Sequence, residues 1–304
     1  MVGEEARRTT GVVPRFRHFL AIDWSGAVTQ RPGGIAMALA HADGGAPVLV
    51  DPGRGFSREE VLAILQDEVP DDTLVGLDLG ISLPFADCGA FFPGWAESPP
   101  DARSLWAMID RICACDPHLS ASSFVDHPEL SAFYRRHNGR EGARFHAPDA
   151  AHRRGRFRVT EERQAVLGCT PYSNFNLVGA AQVGKSSLTG MRVLHRLGGR
   201  IPVWPVDPVP ASGSVIVEIY TAIPAIAAGR RAGTSKIRSH EELAVALQAL
   251  GSPAADASGP IDDHSADALL SAAWLRLAAG DESLWNPPGL DEVAQTEGWT
   301  FGAP

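Results

Sequence analysis

Two short apolar runs in this chain end on an aspartate: Phe19-Leu20-Ala21-Ile22 closes on Asp23, and Leu74-Val75-Gly76-Leu77 closes on Asp78. Runs of this length and composition read as buried strands. A carboxylate at the end of such a strand loses its water unless a cation or a hydrogen-bond donor meets it. If the two strands are neighbours, their acids converge at one edge of a sheet, and bound Mg²⁺ or Mn²⁺ is the simplest relief of their repulsion. A third acid, Asp267, sits in Asp262-Asp263-His264-Ser265-Ala266-Asp267-Ala268-Leu269-Leu270.

The surrounding pattern is that of an α/β protein. Phe19 to Asp23, Gly34 to Ala40 and Pro47 to Val50 read as three strands, with turns at Arg31-Pro32-Gly33-Gly34 and Asp43-Gly44-Gly45. Ser57 is a good N-cap for a helix whose first turn holds Glu59 and Glu60 and whose apolar side is Val61, Leu62, Ile64 and Leu65. Pro70 ends it, and Thr73 to Asp78 is a fourth strand. Beyond Pro84 the pattern is irregular apart from a helix over Ala102 to Cys113, so 85–210 is expected to be a helical and looped insertion. Val215 to Tyr220 reads as a fifth strand with Glu218 as its odd acid, followed by helices over Glu241 to Leu250 and about Asp262 to Ala279. In the last of these, His264 and Asp263 share a face with Asp267 by i,i+3 and i,i+4 spacing.

These elements fit one domain over 17–282, with 1–16 and 283–304 as terminal extensions, within a chain of 304 residues. With 44% hydrophobic and 21% charged residues the chain is globular in composition. It carries neither a membrane-length apolar run nor a secretory h-region, so a cytoplasmic protein without membrane contact is expected. Cys88, Cys113, Cys115 and Cys169 are too scattered for a disulfide scaffold and read as reduced thiols.

A net charge of −9 excludes a protein whose whole surface grips nucleic acid. Between Tyr134 and Arg163, however, nine arginines face four acids, a local net of +5. Such a segment suits either a directed contact with an anion or a solvated loop face. Arg153, Arg154, Arg156 and Arg158 are its candidates for substrate phosphates, with Ser25 in the turn after the first strand. A separate signal is Gly179-Ala180-Ala181-Gln182-Val183-Gly184-Lys185-Ser186, which fits the phosphate-loop pattern G-x-x-x-x-G-K-[ST]. Its context is poor, because Ser173 to Val178 makes a weak strand, but Gln182 and Lys185 are further phosphate candidates.

Strand, strand, strand, helix, strand, insertion, strand and closing helix is the order of the RNase H-like fold. With Ala21-Ile22-Asp23-Trp24-Ser25-Gly26, Gly76-Leu77-Asp78-Leu79-Gly80-Ile81-Ser82-Leu83-Pro84, Val217-Glu218-Ile219-Tyr220 and Asp262 to Ala268, the chain resembles the domain-of-unknown-function 429 family of predicted RNase H-like nucleases. The resemblance runs from about 17 to 280. It implies a mixed five-stranded sheet flanked by helices, with the insertion between strands 4 and 5. It also implies a metal-dependent nuclease acting on nucleic acid or another phosphodiester. Asp23 matches the acid that binds both metals, Asp78 the fourth-strand acid and Asp267 that of the last helix, with Asp263 beside it. His264 resembles the His-x-x-Asp variant of some junction resolvases, and Glu218 the fifth-strand acid. Thr221 departs from the family, where proline is common.

Plainer roles stand beside these. Asp23 and Asp78 could cap turns, Asp262 or Asp263 could cap the last helix, and His264 could be a surface residue. Three other functions share the same residues: an NTPase using 179–186, a kinase-like protein using Asp23-Trp24-Ser25-Gly26, and a non-catalytic nucleic-acid adaptor.

Overall fold

The computed structural model describes residues 16–147, 154–178, 182–231 and 236–304. Its centre is a mixed sheet of six strands: β1 His18–Asp23, β2 Ala36–His41, β3 Val48–Leu49, β4 Thr73–Asp78, β5 Val203–Trp204 and β6 Val215–Glu218. They lie in the order β3-β2-β1-β4-β6-β5. β2 is antiparallel to β1 and β3, while β1, β4, β6 and β5 run parallel. The expected five-stranded sheet is therefore six-stranded. β5 lies inside the stretch read as insertion and forms the edge beyond β6.

The helices are α1 Arg58–Asp67, α2 Ala102–Ile112, α3 Ser122–Val125, α4 Val159–Val166, α5 Val183–Leu197, α6 Ala222–Ala227, α7 His240–Ala249, α8 Asp263–Ala278, α9 Glu282–Trp285 and α10 Leu290–Val293. α1 begins as its sequence demands: Ser57 Oγ accepts from the Glu60 amide at 3.2 Å, and Glu60 Oε2 accepts from the Ser57 amide at 2.9 Å.

Strand parity divides the core. Phe19 and Ala21 of β1, Leu74 of β4, and Val215 and Val217 of β6 pack with α8 on one face. Leu20 and Ile22, Val75 and Leu77, and Ile216 pack on the other face with Val61 of α1, Trp106 and Ile109 of α2, and Leu188 and Met191 of α5. α8 lies close on the sheet because it presents small residues, Ala268, Ala272 and Ala273 among them. A Cβ on Gly76 would stand 2.8 Å from Leu275 Cδ1, so β4 needs glycine under this helix.

Two parts of the expected organisation change. α5, inside 85–210, packs on α1 and α2 and is part of the layer covering the sheet. Residues 283–304 are no loose extension: Trp285, Trp299 and Phe301 are buried, and the Phe301 amide donates to Glu218 O at 2.8 Å. All four cysteines are free thiols, Cys113 and Cys169 buried. Among the described residues no helix is long and apolar enough to cross a membrane.

Candidate active site

β1 and β4 are parallel neighbours in a register that places Asp23 directly beside Asp78. Two residues on from Ala21 and Gly76, both acids take the parity of the face that α8 covers. Asp267 arrives from the second turn of α8, and His264 one turn earlier. His264 Nδ1 lies 2.8 Å from Asp23 Oδ2, and Asp23 is 6% exposed. Asp78 lies close enough to Asp23 to hydrogen-bond with it. Asp78 Oδ1 also meets the Thr221 amide at 3.4 Å, a donor that proline at this position would remove.

Burial and mutual repulsion push these acids toward their protonated forms. Burial first, then the charges of Asp23 and Asp267, holds Asp78 well above the usual carboxylate range. Asp267 is pushed up to about 7 by burial, then by Asp23 and Asp263. Burial raises Asp23 too, against the opposing pull of its hydrogen bond with His264. That same hydrogen bond raises His264. Among the described residues, however, no group of three or more His, Cys, Asp or Glu side chains is arranged to hold a metal ion as it stands. The acids converge, but the imidazole occupies an oxygen of Asp23.

Asp78, Asp267 and His264 open on a cleft of about 650 Å³, with Ser25, Gly34, Gln182 and Ser186 along one side and Tyr172, Tyr220 and Lys236 among its other walls. The turn after β1 is fixed from below by Arg58. Its Nη2 donates to Ser25 O at 2.7 Å and also to Ala27 O, and its Nη1 donates to His118 O at 2.8 Å. Gly26 lets this turn touch α5, since a Cβ there would stand 2.4 Å from Lys185 C.

Several expected site residues are engaged in other contacts. Glu218 has the opposite parity to Asp23 and Asp78, pairing across from Leu77. Its oxygens meet Arg158 Nη1 at 2.8 Å and Nη2 at 2.5 Å, the Ile81 amide at 2.8 Å and Thr300 Oγ1 at 2.5 Å. It edges the cleft as a member of a network that already engages both of its oxygens. Arg158 is buried and also bonds Glu161 Oε1 through Nε at 2.9 Å. Arg156 is buried on Asp87 and the carbonyls of Pro84, Ala90 and Phe91. Neither is free for a phosphate. Arg154 is exposed beside the cleft, its guanidinium 5.0 Å over the ring of Tyr172. Arg153 lies outside the described residues. Asp263 is salt-bridged to Lys236, and Asp262 is the N-cap of α8, accepting from the Ser265 amide at 2.9 Å.

The 179–186 motif opens α5, but 179–181 lie outside the described residues. Among those described, Asn176 makes only an isolated bridge to Arg135 in place of the strand such a loop should leave. The Gly184 amide donates to Asn176 O, and those of Lys185 and Ser186 to Gln182 O, so these donors are already engaged. Lys185 does not line the cleft, whereas Gln182 does.

Sequence reasoning passed over Arg58, Tyr172 and Lys236. Arg58 follows an N-cap serine and reads as an ordinary helix-surface residue, so nothing in its local pattern marks it. No family model, no curated protein and no solved structure matches the chain.

Proposed function

We propose that this protein is a divalent-metal-dependent phosphodiester hydrolase on an RNase H-like fold. The observation that carries the reading is the convergence of Asp23, Asp78 and Asp267 from two adjacent parallel strands and the facing helix, beside an open cleft. The strand order, with an antiparallel β2 and the fourth and sixth strands continuing parallel from β1, supports the fold assignment. So does the resemblance to the domain-of-unknown-function 429 family.

The donor set fits a hard cation: three carboxylates, crowded at the edge of the cleft, gain from Mg²⁺ or Mn²⁺ what the protein itself does not supply. Asp23, Asp78 and Asp267 would hold it, and when bound it lowers the pKa of water and offsets charge on the departing oxygen. His264, oriented through Nδ1 by Asp23, is placed to carry a proton between the cleft and solvent. Ser25 and Gln182, which line the same cleft, would offer hydrogen-bond donors to phosphate oxygens. Glu218 contributes by fixing the end of β6.

Calorimetric titration of Mn²⁺ into wild-type protein and Asp78→Asn tests this reading. Wild-type binding, weakened at least tenfold in the variant, is the expected result. Equal affinity in both proteins would remove the carboxylate cluster as the metal site.

A further inference from the structure

Tyr172 is the one aromatic among the large apolar side chains that stand exposed in the described residues, at 38%. A single exposed ring on a surface loop needs no explanation. This one lines the cleft, and its position is held: Arg154 stacks over it at 5.0 Å while Arg154 Nη1 donates to Pro171 O at 3.2 Å. Tyr220 lines the same cleft, half-buried. Burial, and then the nearby groups Cys169, Asp78 and Tyr172, hold its phenol protonated. An aromatic wall backed by a guanidinium therefore lines the same cleft as Asp78 and Asp267.

The cleft's size and charge bear on what it can admit. About 650 Å³ is the scale of a site that encloses one small molecule or one unit of a polymer. Duplex recognition relies on basic side chains spread along two phosphate backbones. At the cleft Arg158 is fully buried and bonded to the protein's own carboxylates, which leaves Lys236 in the wall and Arg154 beside it as exposed cations among the described residues, too few to track two backbones.

Resting on the phosphodiester reading above, we propose that the cleft takes a nucleotide unit whose base is unpaired. The base stacks on Tyr172, and the phosphate lies toward Asp78 and Asp267. A single strand or a free nucleotide can present that chemistry; a paired base cannot.

Fluorescence anisotropy of a labelled oligothymidylate in Ca²⁺ buffer tests the proposal, with the same strand in duplex and with thymidine monophosphate as competitor. The expected result is single-strand binding at least tenfold tighter than duplex binding. Tyr172→Ala should weaken it about tenfold, within the range for loss of one base stack, and Tyr172→Phe should restore it. Displacement by the mononucleotide at matching concentration would identify a free nucleotide as the source, and resistance to it a strand. Equal affinity for duplex and single strand, an unchanged Tyr172→Ala, or no binding of either probe would overturn the proposal. Mn²⁺ titration of Tyr172→Ala should match wild type. Failure of the metal reading would show instead as an unchanged Mn²⁺ affinity in Asp78→Asn, whatever Tyr172 does.

Discussion

Two groups of three acids lie one strand apart in this protein and meet opposite fates. Glu161, Glu218 and Glu297 surround a single guanidinium. Arg158 bonds both oxygens of Glu218 and one of Glu161, while Glu297 accepts the amides of Phe85 at 2.6 Å, Ala86 at 2.7 Å and Val159 at 2.7 Å. Asp23, Asp78 and Asp267 are met by His264 and by the Trp24 and Thr221 amides, with no arginine or lysine hydrogen-bonded to them among the described residues. Burial alone does not separate the two groups, because Asp23 is as buried as Glu161, Glu218 and Glu297, while Asp78 and Asp267 are half-buried. What separates them is whether the protein completes the donor set itself.

The strongest way to break this contrast is to remove the guanidinium. Arg158→Met should destabilise the fold by about 3–5 kcal/mol, because it strands buried carboxylates without their counter-charge. Urea unfolding measures this, and a loss below about 1 kcal/mol would mean the network is not the fastening described.

Relieving the other group should act in the opposite direction. Asp267 is raised from 3.8 to about 7, so the folded state binds more protons than the unfolded one between those values. Its contribution to stability is fully present below about pH 4 and is lost as pH rises to about 7. Asp267→Asn should therefore be more stable than wild type above pH 7 in metal-free buffer, by about 2 kcal/mol, with the gap closing toward pH 4. Thermal melts across that range would show it; a pH-independent gap would contradict the crowding of the acids. The smallest effect is expected at the rim. Lys236→Ala removes a largely exposed partner of Asp263 and should change stability by less than about 1 kcal/mol in the same melts.

Sequence carried the parts of this molecule that obey a period or a cap. β1, β4, α1, α2, α7 and α8 were readable from apolar spacing and from Ser57, and the acids at the strand ends followed from them. A two-residue strand has no period: β3 was readable only through the turn that precedes it, and β5, inside an irregular stretch, was not. That Glu218 faces away from the other acids was unreadable for a related reason. A strand buried on both faces carries no polarity to reveal which face an acid takes. That depends on which helix covers each side, and only the assembled sheet decides it. The arginine-rich segment misled because a charge run does not state where its side chains point. Arg156 and Arg158 turn inward onto carbonyls and carboxylates that are more than 50 residues distant in sequence. The last twenty residues offered aromatics without a pattern, and their place beside β6 is a tertiary fact.

The pairing of Asp23 with Asp78 across β1 and β4 makes the sheet a ruler. The gap between the two carboxyl-bearing positions is the inter-strand spacing itself, about 4.8 Å, and rotamer choice can only trim it. A slip of one residue between these strands would turn Asp78 to the opposite face, among Leu77's neighbours. A misregistered chain would thus lose the carboxylate cluster along with the core, so the two stand or fall together.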